Sequence, residues 1–511
     1  MSKKVIFIAF VVSLGGFLFG FDAGIISGVM SYAGPEFNLS DGQTGWVVSS
    51  PSFAAMIAML IAGRLSDVIG RKKILIAVAF LYASSALASA YASSYEMLYI
   101  ARMIGGLAFG AALILAPTYI AEISSAENRG KLVSIQQLNI VLGFFAAFLS
   151  NYYFNKLYTS CASFLTDENV WRWMLGVEFI PAILYFLFMF FVPKSPRWLF
   201  SKGKLKEAKA ILNNLYGEVL AKIEIKAIEK NVQEDRSTKV PILELLKPSL
   251  RLILMIGLVL GILQQITGIN AVYFYATSIF KQTGIGTDAS FASGILLSST
   301  TVVFTIIAIF LIDKMGRRPL LLIGMAGIAI SLLVCAYGFN QATYELTPEK
   351  IASFENFDSS ELDHYVNKKY DNDLDFKNDM KSALGNQVYL KYEGTILEAA
   401  TTMNATLVLF GILGFIACFA FSLGPVMWVM LSELYPIKYR GLAIGAIGFV
   451  NSFISWLVQQ IFPWELSTLG NAMTFFIFGL IAFIGFFILL KIVPETKGKS
   501  LEQIEFELVK E

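Results

Sequence analysis

Long apolar runs alternate with short polar stretches along most of the chain. A run of about 20 apolar residues is long enough to cross a bilayer as a helix. Twelve such runs are present, near 6–29, 46–63, 74–92, 97–121, 132–152, 172–192, 251–279, 290–312, 320–340, 403–431, 442–463 and 471–492. Six precede and six follow a polar middle stretch, so the pattern predicts an all-α membrane protein with twelve transmembrane helices.

The composition agrees with a membrane protein. Hydrophobic residues make up 56% of 511 positions and charged residues 15%, against about 25% charged in a soluble domain. The basic clusters are short and lie between apolar runs, so we expect the lipid bilayer and no nucleic acid as a partner. With no nucleophile–base pair, metal-ligand cluster or phosphate loop in the sequence, we expect neither an enzyme nor a cofactor.

Lysine and arginine collect at alternate ends of the apolar runs. The positive-inside rule assigns those ends, and both termini, to the cytoplasm, and we expect a monomer in a bacterial inner membrane. Four units are predicted. They are an N-terminal six-helix bundle (1–193), a cytoplasmic amphipathic linker (194–250), a C-terminal six-helix bundle (251–498) with an extracytoplasmic insertion at 341–398, and a cytoplasmic tail (499–511).

Two signatures occur once in each half. The first contains Arg71 and Arg317, offset by 246 residues, and the second contains Arg129 and Arg440, offset by 311. Parallel halves with basic residues on one face are typical of a transporter with a central site. We predict a cytoplasmic gate that these clusters hold shut, made of Arg64, Asp67, Arg71, Glu122, Arg129, Arg197, Asp313, Arg317, Glu433 and Arg440.

Three charged residues, Asp22, Arg102 and Glu178, interrupt apolar runs, where an ionisable group is costly and therefore a functional candidate. Each lies roughly 8–10 Å below the predicted outer surface at about 1.5 Å per residue. An arginine favours the aspartate anion whereas burial disfavours it, so Asp22 could load and release a proton. The alternative is a permanent ion pair that only holds helices together.

Amides in the apolar runs form a second set, with Gln264, Gln265 and Asn270 on a run interrupted by Gly268. Amides both donate and accept hydrogen bonds, which suits a neutral polyhydroxylated ligand better than an ion. Further amides and aromatic residues that could stack on a sugar ring lie on other runs, and they include Gln137, Asn451, Phe19, Tyr275 and Trp428.

In order along the chain, several motifs resemble the sugar porter family of the major facilitator superfamily. They are Gly15–Asp22, the Gly-Arg…Asp…Gly-Arg-Lys motif after the second run, Arg102–Gly106, Ser195–Leu199, Gln264–Asn270 and Pro494–Gly498. The resemblance implies two six-helix bundles with short intracellular helices, alternating access and a monosaccharide bound centrally. It is strongest to bacterial D-xylose:proton symporters, and it implies sugar contacts at Gln137, Gln264, Gln265, Asn270, Trp428 and Asn451.

We therefore expect proton-coupled symport of a pentose or hexose, such as xylose or glucose, with Asp22, Arg102 and Glu178 in proton coupling. Small-molecule sugar and proton are then the transported partners. The alternatives are a facilitative uniporter, whose uptake would be insensitive to pH, and, less favoured, a sugar sensor. The insertion holds twelve acidic and six basic residues, and we expect a solvated, partly ordered cap rather than a binding module.

Overall fold

The fold is known from a computed structural model, which describes residues 3–125, 128–160, 164–225, 242–352, 354, 360–498 and 503. Twelve helical segments within these residues are long and apolar enough to cross a membrane, as the sequence predicts. The helices of the first half are α1 (Lys3–Glu36), α2 (Asp41–Ile69), α3 (Arg71–Ala90), α4 (Tyr95–Ile123), α5 (Arg129–Thr159), α6 (Val170–Gly176) and α7 (Phe179–Met189).

Two short helices, α8 (Pro196–Ser201) and α9 (Leu205–Tyr216), follow in the linker. The second half begins with α10 (Arg251–Ile266), α11 (Ile269–Phe274), α12 (Ala276–Lys281), α13 (Thr287–Met315) and α14 (Arg317–Asn340). After the insertion it continues with α18 (Ala405–Phe421), α19 (Leu423–Leu434), α20 (Ile437–Thr468) and α21 (Gly470–Ile492). Three spans consist of two helices each, and these are α6–α7, α10–α11 and α18–α19.

The two halves repeat one packing pattern. In the N-terminal bundle, α1 packs on α5, α2 on α4, and α3 on α4 and α7. The equivalent spans of the C-terminal bundle make the same pairs, because α10 packs on α20, α13 on α18, and α14 on α18 and α21. Parallel structural repeats of this kind are found in the two halves of major facilitator transporters.

The duplicated motif turns the chain in the same way in both halves. Gly70 separates α2 from α3 with φ +104°, and Gly316 separates α13 from α14 with φ +98°. Only glycine adopts such a backbone at little cost. In each case the glycine N–H closes the preceding helix by donating to a carbonyl four residues earlier, that of Ser66 or Ile312. The motif therefore specifies a sharp corner between consecutive spans.

The linker lies under the N-terminal bundle. Lys4 Nζ, at the start of α1, is 2.6 Å from Asn214 Oδ1 on α9, and Trp198 on α8 donates from Nε1 to the carbonyl of Asp67 at 3.0 Å. We call this side of the molecule the linker face. The opposite side, which carries the insertion, is the insertion face.

The insertion is a folded unit with its own core. Its elements are the strands β1 (Thr343–Glu345), β2 (Lys369–Tyr370) and β3 (Thr401–Thr402) and the helices α15 (Pro348–Ala352), α16 (Asp373–Leu384) and α17 (Asn386–Ala400). The antiparallel sheet has the order β2-β1-β3. Aromatic side chains of the strands and α16, such as Tyr344 and Phe376 with ring centroids 5.2 Å apart, are buried inside. Among its described residues the predicted cap has a small apolar core that its charge content does not indicate, because apolar residues are spaced closely enough to pack together.

Candidate functional site

A buried ion pair joins α1 to α4 inside the N-terminal bundle. Arg102 Nη1 lies 3.2 Å from Asp22 Oδ1, and Arg102 Nε donates to the carbonyl of Val47 on α2 at 3.0 Å. Arg102 and Asp22 are 2% and 6% exposed. Leaving either charge alone in such surroundings costs about 3–5 kcal/mol. Each group therefore depends on the other, and protonation of Asp22 would weaken the hold on Arg102.

The third predicted charge, Glu178, is buried at the break between α6 and α7 and interacts electrostatically with Asp22 and Arg102. Two tyrosines complete this region. Tyr82 donates to the carbonyl of Gly15 at 3.0 Å, and the buried hydroxyl of Tyr185 has no hydrogen-bond partner among the described residues. The sequence did not single out the tyrosines, since a tyrosine in an apolar run is usually part of the core.

Four of the predicted amides form one hydrogen-bonded network in the C-terminal bundle. Asn270 Nδ2 donates to Gln265 Oε1 at 2.8 Å and to Ser455 Oγ at 2.6 Å. Gln265 Nε2 donates to Asn451 Oδ1 at 3.2 Å, and Asn451 Nδ2 donates to Gln264 Oε1 at 2.8 Å. The network joins α10, α11 and α20, and it presents both donors and acceptors to a ligand.

Breaks in the helices supply further acceptors. Gln264 Nε2 donates to the carbonyls of Leu423 and Gly424, both at 3.2 Å, where α18 gives way to α19. The second break follows α10, where Gly268 adopts φ +86° and Asn270 begins the next turn. Irregular backbone at membrane depth is tolerated where it is buried in protein or lines a cavity. These two breaks therefore position the amides.

Aromatic rings connect the helix of Asp22 to the helix of Asn270. Phe19, one turn from Asp22 on α1, packs on Phe109 of α4 and Phe144 of α5, with centroids 4.8 and 6.4 Å apart. Phe144 packs in turn on Tyr273 of α11 at 4.8 Å. The contact between Phe144 and Tyr273 crosses from one bundle to the other, so a shift of α1 can be transmitted to α11.

The other predicted sugar contacts lie outside the hydrogen bonds of the network. Tyr275 donates from its hydroxyl to the carbonyl of Gln459 at 3.0 Å, beside the network. Gln137 on α5 is exposed, and the Trp428 side chain on α19 is 44% exposed. The amide of Gln137 and the ring of Trp428 are therefore accessible to a ligand.

On the linker face, the first copy of the predicted gate is an ion cluster within the N-terminal bundle. Arg71 Nη1 lies 2.6 Å from Asp67 Oδ1, and Arg71 Nη2 lies 3.1 Å from Glu122 Oε1. Glu122 Oε2 also accepts from Ser195 Oγ at 2.5 Å and interacts electrostatically with Arg197. The cluster holds the ends of α2, α3, α4 and α8 together.

The second copy has the same design within the C-terminal bundle. Arg317 Nη2 donates to Glu433 Oε1 at 2.8 Å, and Glu433 Oε2 accepts from Thr496 Oγ1 at 2.6 Å. Glu495 accepts from the backbone N–H groups of Arg317 and Arg318 at 3.1 and 3.2 Å. Burial raises the pKa of Glu495, but these bonds and that from Lys497 outweigh burial and lower it overall. The carboxylate therefore caps α14 as an anion.

The other predicted gate residues are less tightly placed. Arg440 donates from Nε and Nη2 to the carbonyl of Tyr435, both at 3.3 Å, and Arg64 is exposed. The side chains of Arg129 and Asp313 lie outside the described part of the structure. In this conformation the described gate contacts bind helices of the same bundle to one another.

The two bundles meet on the insertion face, through hydroxyl and amide groups that sequence reasoning missed. Isolated serines and glutamines gave no signal, because their pairing depends on the register of helices from different bundles. The contacts are Ser27–Thr277 at 3.0 Å, Ser49–Gln460 at 2.8 Å, Ser52–Gln459 at 3.0 Å, Asp41–Ser467 at 2.6 Å and Asn155–Asp288 at 2.6 Å. We call this set the insertion-face seal.

Toward the linker face the hydrogen bonds between the same helices end. Among the described residues, the bonds from α2 to α20 extend as far as the contact of Ser452 with Met59 Sδ at 3.7 Å. The described hydrogen bonds between the two bundles therefore lie toward the insertion face.

Comparison with known proteins places the chain in a family. The sequence profile of the sugar (and other) transporter family matches residues 8–353 and 384–508. The arabinose-proton symporter of Bacillus subtilis is 34% identical over 501 residues, covering 98% of this chain and 94% of that protein. The D-xylose transporter of Levilactobacillus brevis is 32% identical over 504 residues, covering 98% and 95%.

Solved structures give the same result. The inward-open structure of the xylose transporter XylE from E. coli has a TM-score of 0.75 at 28% identity, covering 99% of this chain and all of that one. A structure of XylE described as a proton:xylose symporter of the major facilitator superfamily, bound to 6-bromo-6-deoxy-D-glucose, has a TM-score of 0.72 at 30% identity. The predicted fold class is confirmed, and the relatives are transporters rather than enzymes. Profile, relatives and fold agree that this chain belongs to the sugar (and other) transporter family of the major facilitator superfamily.

Proposed function

We propose that the chain is a proton-coupled monosaccharide symporter, which carries a pentose or hexose together with a proton. The carrying observation is that a buried Asp22–Arg102 pair occurs with an amide network suited to a neutral polyhydroxylated ligand, on helices α1 and α11 that aromatic rings link across the bundles. The names of the arabinose-proton and xylose relatives support the same substrates and coupling.

In the proposed mechanism the bodies that move are the two bundles, residues 1–193 and 251–498. Protonation of Asp22 neutralises its charge and loosens its bond to Arg102. Glu178 acts on both residues through its electrostatic interaction with them. Through Phe19 and the ring contact between bundles, α1 then shifts relative to α11. The sugar takes over amide bonds that the network otherwise makes internally, and it binds between the residues Phe19, Gln137, Gln264, Gln265, Asn270, Tyr275, Trp428 and Asn451.

The proposed orientation puts the linker face and both termini in the cytoplasm of a bacterial cell whose inner membrane holds the protein as a monomer. The basic clusters of the linker face support this, since positive residues are retained on the cytoplasmic side. The conformation then faces inward, in keeping with the inward-open XylE structure. In the outward-facing state the two ion clusters around Arg71 and Arg317 would meet and close the linker face.

The test is uptake of labelled xylose, glucose, galactose and arabinose into proteoliposomes, with and without an inward proton gradient. We expect the wild type to accumulate one of these sugars above equilibrium only with the gradient. Asp22→Asn keeps the size of the side chain but cannot be protonated as an acid, so accumulation should be lost. Sugar exchange without a gradient reports whether this variant still folds and binds.

Asp371→Asn is the matched control, because this carboxylate is exposed on the insertion, outside both the buried pair and the insertion-face seal, and accumulation should survive the change. Equilibration of sugar that neither the gradient nor Asp22→Asn affects would identify a uniporter. The ion pair of Asp22 and Arg102 would then serve only to hold α1 and α4 together. Sugar binding without any flux would indicate a sensor.

A further inference from the structure

The insertion touches both bundles, but it is attached to them unequally. Its polypeptide begins after α14 and ends at α18, so both of its ends are tied to the C-terminal bundle. Asp373 on α16 accepts from Asn471 Nδ2 of α21 at 2.9 Å, and Glu393 on α17 accepts from Gln282 Nε2 at 3.0 Å. Asp373 and Asn471 are buried, so these bonds are sheltered from water.

The polar contacts with the N-terminal bundle are more exposed. Lys391 Nζ on α17 lies 2.7 Å from Asp167 Oδ2 in the loop between α5 and α6. Asn386 Nδ2 lies 3.1 Å from Asn38 Oδ1, just beyond α1, and α17 packs against α1. Exposed ion pairs such as Lys391–Asp167 shift an equilibrium by up to about fivefold, which is enough to bias two states without locking either.

The insertion is not packed solidly on the bundles. A cavity of about 160 Å³ lies between α16 and α17 and the ends of α1, α2 and α20. Polar side chains from all three bodies line it, among them Ser31 of α1, Gln282 after α12 and Asn378 of α16. Because the cavity lies between the insertion and the end of α1, the two are in contact over only part of their facing surfaces.

The insertion-face seal must open for the site to be reached from that face. The two bundles then separate at that face, and a body bonded to both cannot keep all of its contacts. We propose that the insertion moves with the C-terminal bundle and that Lys391 and Asp167 form a latch, a gating contact that favours closure of the insertion face. This inference rests on the transport cycle proposed above. The family profile leaves residues 354–383 of the insertion unmatched.

The latch is suited to neutral pH. Burial raises the pKa of Asp167, but hydrogen bonds from Lys391 and Tyr158 and the charge of Lys391 outweigh it and lower the pKa overall. The bond to Asp167 raises the pKa of Lys391. An aspartate whose pKa is lowered in the folded protein stabilises the contact at every pH above its ordinary pKa, and this stabilisation is lost only in strong acid. A lysine whose pKa is raised stabilises the contact until strongly alkaline pH. Both partners therefore stay charged while Asp22 exchanges its proton.

Two cysteine pairs test the latch, and each pair has one member on α17. In a background with Cys161, Cys335 and Cys418 replaced by serine, Asp167→Cys with Lys391→Cys joins α17 to the N-terminal bundle. Gln282→Cys with Glu393→Cys joins α17 to the C-terminal bundle from two residues away. After a short flexible thiol cross-linker is added, the first pair should lose sugar transport and the second should keep it. Transport by the first pair after complete cross-linking, or loss of transport by both, would overturn the proposal.

A second measurement needs no transport, so it separates failure of the latch from failure of the proposed function. Ser49 is fully buried in the seal, and a cysteine there should react with a membrane-impermeant maleimide only when the insertion face opens. Lys391→Glu should speed this reaction about two- to fivefold, as expected for an exposed ion pair. Adding Asp167→Lys should restore the slow rate.

Lys368→Glu is the matched control, since Lys368 pairs with Asp379 at 2.6 Å wholly inside the insertion. It should leave the Ser49→Cys reaction unchanged. Equal acceleration by Lys368→Glu and Lys391→Glu would mean that the insertion is merely destabilised and that no latch exists. Absence of sugar flux in the wild type, with the Lys391 effect intact, would reject the symport proposal alone.

Discussion

Asn451 makes three hydrogen bonds through its side chain in the amide network. Its Nδ2 donates to the Gly261 carbonyl at 2.8 Å as well as to Gln264, and its Oδ1 accepts from Gln265. Each of these groups is buried, so each depends on a protein partner or a ligand in place of water. A sugar hydroxyl can replace a partner amide, which lets the network rearrange without leaving a group unpaired.

Asn451→Ala should weaken sugar binding by about tenfold or more, because a buried polar group left unpaired costs about 1–3 kcal/mol. Quenching of the protein's tryptophan fluorescence by sugar would measure the affinity. Ser452→Ala is the control, since the Ser452 hydroxyl contacts Met59 Sδ rather than an amide. Equal affinities for Asn451→Ala and wild type would remove Asn451 from the site.

At this scale the sequence predicts some residues and not others, for physical reasons. Gln264, Gln265 and Asn270 could be anticipated together because they share one apolar run, where amides are costly. Ser49 and Gln460 are 411 residues apart, and their bond at 2.8 Å depends on how two distant helices line up. Hydrophobic periodicity contains no information on that register.

Broken helices are the feature of interest at the level of elements. Gly268 ends α10 with φ +86°, and a Cβ at this position would lie 2.7 Å from the ring of Phe478 on α21. Both the backbone conformation and the lack of space therefore require glycine. The break exposes backbone groups beside the amides and sets the direction in which Asn270 points.

Gly268→Ala should lower the thermal stability and weaken sugar affinity, since strain and the contact with Phe478 both displace α11. Backbone strain of this type costs of order 1–3 kcal/mol. Gly217→Ala isolates the strain, because Gly217 has φ +75° and a Cβ there meets nothing within 4 Å. It should lower the melting temperature less and leave affinity unchanged. If both variants lose affinity alike, the close contact is irrelevant.

The elements were predictable to different degrees. The twelve spans follow from apolar length, and the corners at Gly70 and Gly316 follow from the repeated motif. The insertion was harder, because its acidic surface dominates the composition while its core consists of a few dispersed residues such as Tyr344, Phe376 and Met380. Composition alone therefore does not reveal the core of a small domain when the core residues are few.

For the whole molecule, closure of the insertion face depends on how closely α2 approaches α20. A Cβ at Gly45 would overlap the carbonyl oxygen of Gln460, so this contact requires glycine. Three residues earlier, Gly42 has nothing within 4 Å of such a Cβ. An added side chain on α2 would therefore clash with α20 at position 45 but not at position 42.

Gly45→Leu should prevent full closure and shift the population toward opening on the insertion face. The labelling rate of Ser49→Cys should rise, and net transport should fall because one half of the cycle is blocked. Gly42→Leu should leave both close to wild type. An unchanged labelling rate in Gly45→Leu would show that the bundles can close without this contact.

The insertion also breaks the pseudo-symmetry of the molecule. Two similar six-helix bundles within a detergent belt are difficult to tell apart in images of single particles, whereas a folded, water-exposed domain on one of them marks the orientation. The surface around Asp167 and Lys391 is a composite epitope, assembled from both bundles only when the insertion face is closed. An antibody fragment selected against that epitope would recognise one arrangement of the protein, hold it there for imaging and inhibit it from outside.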